Sequence, residues 1–422
     1  MDALMSLVGI AALLFIAFLF SNNKKAINFR TVFGALAIQI GIGALILYVP
    51  AGRQALLAAA EGVSAVIGYS NDGISFLFGG LVSDKMFEVF GGGGFVFALR
   101  VLPPIIFFSA LISVLYYLGI MQFVIRILGG ALQKVLGTSK PESMSAAANI
   151  FVGQTEAPLL VKPYIKSMTN SELFAVMCGG VASVAGAVMI SYAGMGVPLT
   201  YLIAASFMAA PGGLLFAKIL HPQAETFKDE LAEEDIEDKP SNVIEAAAVG
   251  TFSGMQLAMN VGAMLISFVA LIAMLNGLIG WIGGLVGFEG VTLQSLFGYV
   301  FQPLAWVIGV PWGAEAQVAG SLIGQKLVIN EFVAYVDFVN YLKPESTVVL
   351  SEKTIAIITF ALCGFANFSS IAILIGGLGG MAPNRRSDVA RMGLKAVLAG
   401  SLSNLMSAAI AGLFIGLGGA VL

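Results

Sequence analysis

The chain alternates long apolar runs with short polar connections. A run of about 20 apolar residues is the length a helix needs to cross a bilayer. Eight stretches read this way: Ala3–Ser21, Thr31–Val49, Phe95–Leu118, Glu172–Tyr192, Leu199–Leu220, Val243–Leu285, Lys353–Gly379 and Val389–Leu417. Val243–Leu285 is too long for one perpendicular crossing, so it tilts or extends past the bilayer. Ala51–Gly94 has a different pattern. It is amphipathic, carries Arg53, Glu61, Asp72, Asp84, Lys85 and Glu88, and ends in the run Gly91–Gly94. It predicts helices lying along the interface and a flexible turn into the third span. The first run is not a signal peptide by pattern, because Asp2 precedes it and Lys24 and Lys25 follow it.

Two further apolar stretches are interrupted by polar residues. Ser145–Lys166 (SAAANIFVGQTEAPLLVKPYIK) has a polar tip at Gly153–Pro158 between two short apolar arms. Leu296–Val328 has short arms around GVPWGAEAQ, which contains Glu315. Arms too short to cross predict re-entrant hairpins, whose tips must be satisfied by protein or water. Each hairpin precedes an apolar span with a Cys-Gly break, Cys178–Val188 in one half and Cys363–Ile373 in the other. Interrupted helices at corresponding places in two halves point to an inverted repeat and a transporter binding site.

Composition removes other classes. Of the 422 residues, 58% are hydrophobic and 11% charged. A soluble domain carries roughly 25% charged residues. The difference excludes a soluble enzyme and a disordered chain. A net charge of −3 leaves no basic face for nucleic acid. One histidine (His221) and two distant cysteines are too few for zinc, haem or a disulfide framework. Lys and Arg cluster in the first loop, after the third span and before the last span. These clusters share one side if both termini lie outside the cytoplasmic membrane. The acidic loop Pro222–Asn242 then reads as a solvated cytoplasmic linker.

Glu156 and Glu331 would each cost ~2.5–3.5 kcal/mol facing lipid at the bilayer centre, so they are expected to line a polar cavity. Arg100 reads as an anchor for a helix end or a carbonyl. Gln154 can read the edge of a planar base, and a carboxylate such as Glu331 can accept both hydrogens of a vicinal diol. Asn367 and Ser370 add donors and acceptors, and Phe365 adds a flat apolar face. Neither motif contains Arg, so a phosphate or carboxylate substrate would lack its bidentate partner. This chemistry suits a neutral solute with a ring and hydroxyls. Asn149 and Ser183 offer hard oxygens that suit Na⁺, with too few carboxylates for Ca²⁺. A channel and a membrane transferase are the rival classes. Proton coupling through Glu156 or Glu331 stays open within the transporter class.

The runs GQTEAPLLVKPYI, NEFVAY and ALCGFANFSSIAI resemble the concentrative nucleoside transporters, in a bacterial form and over nearly the whole chain. The resemblance implies a non-enzymatic, all-α polytopic membrane protein. It implies eight transmembrane helices, two re-entrant hairpins, interfacial helices, and a homotrimer working by elevator-like displacement. The matching division is 1–136 (scaffold), 137–220 (first hairpin and transport helices), 221–242 (acidic loop), 243–295 (long scaffold helix) and 296–422 (second hairpin, transport helices and last span). By motif position, Gln154, Thr155 and Glu156 would hold the nucleobase, with Val188 and Phe365 beside it. Glu331, Asn367 and Ser370 would hold the ribose. Sodium, the coupling ion, would sit at Asn149, Ser183 and the carbonyls of Val152 and Val184. The tip PWGAEAQVAG departs from the family's PWNEA-like form.

Overall fold

The computed structural model describes residues 2–90, 94–227, 240–285, 287–288 and 290–418. Most of the acidic loop and residues 91–93 of the glycine run lie outside the described residues. The fold is all-α.

The first half opens with α1 (Asp2–Leu19) and α2 (Phe29–Leu47). Asn28 caps α2 by accepting the amide hydrogens of Arg30 and Thr31, the usual role of such a side chain at a helix start. Next come α3 (Pro50–Phe78) and α4 (Lys85–Phe90), where interfacial helices were expected. In α3 the buried residues Leu56, Ala60, Ser70 and Ile74 fall along one stripe of the helix. The third expected span divides into α5 (Phe97–Arg100) and α6 (Pro103–Tyr117). The paired prolines 103 and 104 start a new helix, since their missing N–H groups cost nothing in a first turn. Then α7 (Ile120–Leu136) leads to the first interrupted stretch, α8 (Lys140–Ala148) and α9 (Lys162–Ile165). The fourth expected span is two helices, α10 (Asn170–Ala182) and α11 (Gly186–Gly194), followed by α12 (Leu199–Leu220).

The second half contains α13 (Val243–Leu285), α14 (Leu293–Val307) and α15 (Ala314–Val328). It continues with α16 (Glu331–Tyr341), α17 (Glu352–Leu362), α18 (Ser369–Met381) and α19 (Arg386–Gly416). Helix α13 has 43 residues. The helical rise per residue makes it about 65 Å long. It lies against α6 through Gly250 and Gly254, where an added Cβ would come within 2.6–2.7 Å of Ser109. This small-xxx-small seam lets the two backbones approach closely. The rest of α13 shows apolar side chains outward, Ile244 and Phe252 among them. By contrast α10 and α12 are buried all round and, with α19, form the centre.

Six helices among the described residues are long and apolar enough to cross a membrane: Phe29–Leu47, Phe97–Tyr117, Asn170–Gly194, Leu199–Leu220, Val243–Leu285 and Pro383–Gly416. The other two expected spans correspond to the shorter apolar helix Leu4–Leu19 and to the broken α17–α18 pair.

Two expectations about local structure change. The first hairpin begins earlier than Ser145. Glu142 Oε1 accepts the Ser139 N–H at 2.6 Å, and this carboxylate arm of a capping box starts α8 at Lys140 by satisfying a free amide at the helix start. Its second arm is irregular, a 3-10 turn at Ala157–Val161 followed by the short α9, because Pro158 and Pro163 remove helical donors. The breaks also do not sit at matching cysteines. Cys178 is inside α10, and that helix stops at Ser183–Ala185, whereas Cys363 is itself the C-cap of α17.

Candidate functional site

Both broken helices point their loose ends at one place. The first break is Ser183–Ala185, and the second runs from Cys363 to Phe368. A break frees carbonyls at the end of one half-helix and N–H groups at the start of the next. The two breaks are joined directly, since the Phe365 N–H donates to the Ser183 carbonyl at 3.1 Å. The first hairpin tip is joined as well, with the Gly186 N–H donating to the Phe151 carbonyl at 3.0 Å.

On this frame Gln154, Ser370, Asn367 and Glu331 form one hydrogen-bonded chain. Gln154 Nε2 donates to Ser370 Oγ at 3.3 Å. The Ser370 N–H donates to Asn367 Oδ1 at 2.9 Å. Asn367 Nδ2 donates to Glu331 Oε2 at 2.9 Å. All four side chains are buried. The Ser370 hydroxyl also donates to the Phe365 carbonyl at 2.5 Å, which fixes the bend of the second break. Glu331 stands at the start of α16, where a carboxylate suits the positive end of the helix dipole. Asn330 caps that helix by accepting the Val333 N–H at 2.8 Å.

The tip of the first hairpin lies against glycines. A Cβ at Gly179 would come 3.0 Å from Asn149 Nδ2, and one at Gly180 would come 2.9 Å from Gln154 Cβ. Thr155 lies against α18 at Gly377 in the same way. The Cys-Gly-Gly run is therefore a smooth surface for the tip, with the break one turn further on. Among the described residues, both carboxamide atoms of Asn149 are buried without a hydrogen-bond partner, and so is Gln154 Oε1. Buried amides are ordinarily satisfied, so these atoms keep hydrogen-bonding or coordinating capacity for a further partner. The Ser183 hydroxyl donates back to the Gly179 carbonyl at 3.0 Å. Val152, Val184 and Val188 are buried at the tip, at the first break and in α11.

Glu156 stands apart from the chain of four. It is exposed, and its Oε2 accepts the Gly153 N–H at 2.5 Å within its own tip. Arg100 anchors carbonyls, donating to Val82 at 2.8 Å and Ser83 at 3.2 Å. Glu315, near the second hairpin tip, accepts the N–H and hydroxyl of Ser351 at the start of α17. That tip turns through Gly309 (φ +111°) and Gly313 (φ +126°), conformations that residues with a Cβ rarely adopt.

Three participants escaped the sequence reading. The Tyr192 hydroxyl of α11 donates to Glu331 Oε1 at 3.1 Å. Its ring packs 4.3 Å from Tyr335 and 5.2 Å from Phe332, which fixes the hydroxyl's direction. Lys326 of α15 is buried, and its ammonium donates to the Ala361 carbonyl at 2.7 Å and to Asn404 Oδ1 at 2.6 Å. Asn404 Nδ2 donates in turn to the carbonyls of Ala182 at 2.6 Å and Cys363 at 2.8 Å. One amide thus ties together the last carbonyls of both broken helices, and a buried cation holds that amide. A lone Lys in an apolar run was the available signal, since a charge there demands a partner.

Polar side chains converging on paired broken helices in an apolar helical protein define a membrane transporter by architecture. Family descriptions agree along the chain. "Na+ dependent nucleoside transporter C-terminus" matches residues 201–412, the corresponding N-terminus matches 8–81, and "Nucleoside recognition" matches 98–199. Nucleoside permease NupC of Helicobacter pylori is 57% identical over 99% of both chains. An uncharacterized transporter of Haemophilus influenzae is 68% identical over the full length of both. Sodium/nucleoside cotransporter 1 of mouse is 38% identical over 98% of this chain and 64% of its own. The structure of CNTnw in an inward-facing substrate-bound state superposes with a TM-score of 0.96 at 66% identity, covering both chains fully. A substituted CNTnw in an outward-facing state gives 0.97 with the same identity and coverage. The chain belongs to the concentrative nucleoside transporter family.

Proposed function

We propose that this transporter imports nucleosides across the cytoplasmic membrane by sodium symport, through alternating access of an elevator type. The observation that carries the substrate reading is the Glu331 carboxylate, buried and oriented by Tyr192 and Asn367. Each of its oxygens accepts one protein hydrogen bond and keeps a lone pair for a ribose hydroxyl. Asn367 and Ser370 complete the ribose contacts. The unpartnered Oε1 of Gln154 accepts an N–H from the base. Thr155 and Glu156 border the base at the hairpin tip, with Val188 and Phe365 as apolar walls.

Sodium is carried as co-substrate. The unpartnered, buried Asn149 carboxamide supports its site, with Ser183 and the carbonyls of Val152 and Val184 as further hard oxygens. Because sodium gathers the first hairpin tip and the first break, it favours the form that binds nucleoside. Linkage requires that nucleoside raise sodium affinity by the same factor. Residues 137–220 and 296–422 form the moving region, with the paired helices α8–α9 and α14–α15 as re-entrant hairpins. Residues 1–136 and 243–295 form the scaffold and the contacts of a homotrimer. Both termini lie on the outer side.

The test is uptake of labelled uridine into proteoliposomes under an inward sodium gradient, with choline and proton-gradient controls. Uptake that requires sodium and disappears in Glu331→Ala supports the proposal. Uptake driven by protons alone removes the ion site. Absence of uptake for every nucleoside under either gradient removes the substrate assignment.

A further inference from the structure

A cavity of about 810 Å³ lies behind the second break, between α1, α14, α15 and α19. It falls within the range of roughly 300–1,000 Å³ that small-molecule sites occupy. None of Gln154, Glu331, Asn367 and Ser370 lines it. Its walls are apolar, with Leu13 and Ile16 from α1, Leu304 from α14, Ile323 from α15, and Leu402 and Leu405 from α19. Lys326 reaches its wall, but that ammonium is already held by the Ala361 carbonyl and Asn404.

Polar side chains in the lining form a second group: Asn22, His221, Arg391 and Lys395. Lys395 donates to Asn22 Oδ1, and Asn22 Nδ2 lies 2.8 Å from His221 Nδ1. Among the described residues Lys395 has no carboxylate partner. Arg391 pairs with Asp388 at 2.6 Å, yet its side chain is 67% exposed. Asp388 is also shared with Arg385 at 2.9 Å. Burial, and then the charges of Lys395, Lys218 and Arg391, hold the His221 pKa below its ordinary value. The imidazole therefore stays neutral at pH 7, and the field around it is positive. Lys24 and Lys25 follow Asn22 in the chain, so this polar group belongs to a Lys/Arg-rich connection of the kind that faces the cytoplasm.

We infer that this cavity binds an anionic phospholipid of the cytoplasmic leaflet, with acyl chain in the apolar groove and phosphate at Lys395 and Arg391. Basic pockets between membrane helices on the cytoplasmic side recognise such headgroups. A free phosphate would leave the apolar walls unoccupied, and a zwitterionic lipid would leave the positive charge of Lys395, which has no carboxylate partner among the described residues, uncompensated. Ala366 and Phe368 of the second break are in the lining. The lipid consequently packs directly behind the candidate nucleoside site.

The experiment uses the full chain, delipidated in detergent and titrated with phosphatidylglycerol, phosphatidylcholine of the same acyl chains, or inorganic phosphate. Native mass spectrometry reads the bound species, so the result does not depend on transport. Phosphatidylglycerol is expected to bind at least about fivefold more tightly than phosphatidylcholine, and Lys395→Gln is expected to remove that preference. Leu402→Trp, which fills the groove, is expected to lose both lipids. If it does not fold, Lys395→Gln with Arg391→Gln carries the test alone. Equal retention of the two lipids, unchanged in Lys395→Gln, overturns the inference. Inorganic phosphate that competes the lipid away and still binds Leu402→Trp also overturns it, in favour of a bare anion site.

Discussion

The two broken helices have the same architecture and different chemistry. The first break is three residues, Ser183–Ala185, and what it presents is mainly backbone and one hydroxyl. It faces the Asn149 end of α8, across the flat strip made by Gly179 and Gly180. The second break is six residues, and the polar side chains at its end, Asn367 and Ser370, bond to Glu331 and Gln154. A short break offers hard oxygens to a bare ion. A longer one offers side-chain donors and acceptors to an organic solute. Asn404 touches the last carbonyls of both, so the two breaks share one mount.

Substituting the mount should have the largest effect, because it acts on both breaks. Lys326→Met leaves Asn404 Oδ1 and the Ala361 carbonyl buried without a donor, at about 1–3 kcal/mol each. Thermal melting in detergent should fall, and nucleoside and sodium binding should weaken together. Loss of only one of the two would show that the breaks are held independently.

Glu331→Ala should separate them. Removing the carboxylate leaves the Tyr192 hydroxyl and Asn367 Nδ2 without their acceptor and takes away the proposed ribose acceptor. Nucleoside affinity should drop on the order of 100-fold, given about 1.5–3 kcal/mol for hydrogen bonds to a charged group. Calorimetry should still detect sodium binding by itself. Wild-type nucleoside affinity in this variant would refute the assigned role.

Asn149→Leu is the reciprocal change at the first break. Nucleoside affinity in sodium should fall to its sodium-free value, about tenfold, within the usual range of coupling between sites. Affinity without sodium should stay as it is. A binding curve that still depends on sodium would move the ion site elsewhere.

Gly179→Ala should have the smallest effect. Its Cβ would press 3.0 Å from Asn149 Nδ2. That is a mild overpacking of about 1 kcal/mol. The sodium concentration for half-maximal uptake should rise roughly fivefold, the factor that such a cost at the ion site implies, while the sodium-free affinity for uridine stays constant. A matching loss of uridine affinity without sodium would mean that the strip supports both sites alike.

Much of this architecture was legible in the chain. The limits of α12 and α13 follow from apolar length, and the interrupted stretches stood out because polar tips in apolar arms are costly in lipid. The chain also exposed Glu331 and Asn367, since each is a polar residue in an apolar run. The breaks themselves were harder to place. Both cysteines precede glycines, but only Gly364 lies in a break, against the Asn404 amide. Gly179 remains helical and serves close approach. A Cys-Gly pair carries no mark of which use it has.

Apolar length, the positions of proline and glycine, and charge placement determined the class, the helices and the presence of two interrupted segments, because these depend on local chemistry and on the bilayer's cost for polar groups. Only the tertiary structure decided which polar groups meet. Tyr192 reaches Glu331 across 139 residues, and Asn404 reaches Ala182 across 222. Nothing in the spacing of such distant residues encodes a hydrogen bond. Helix packing alone brings their atoms to within 3.1 Å.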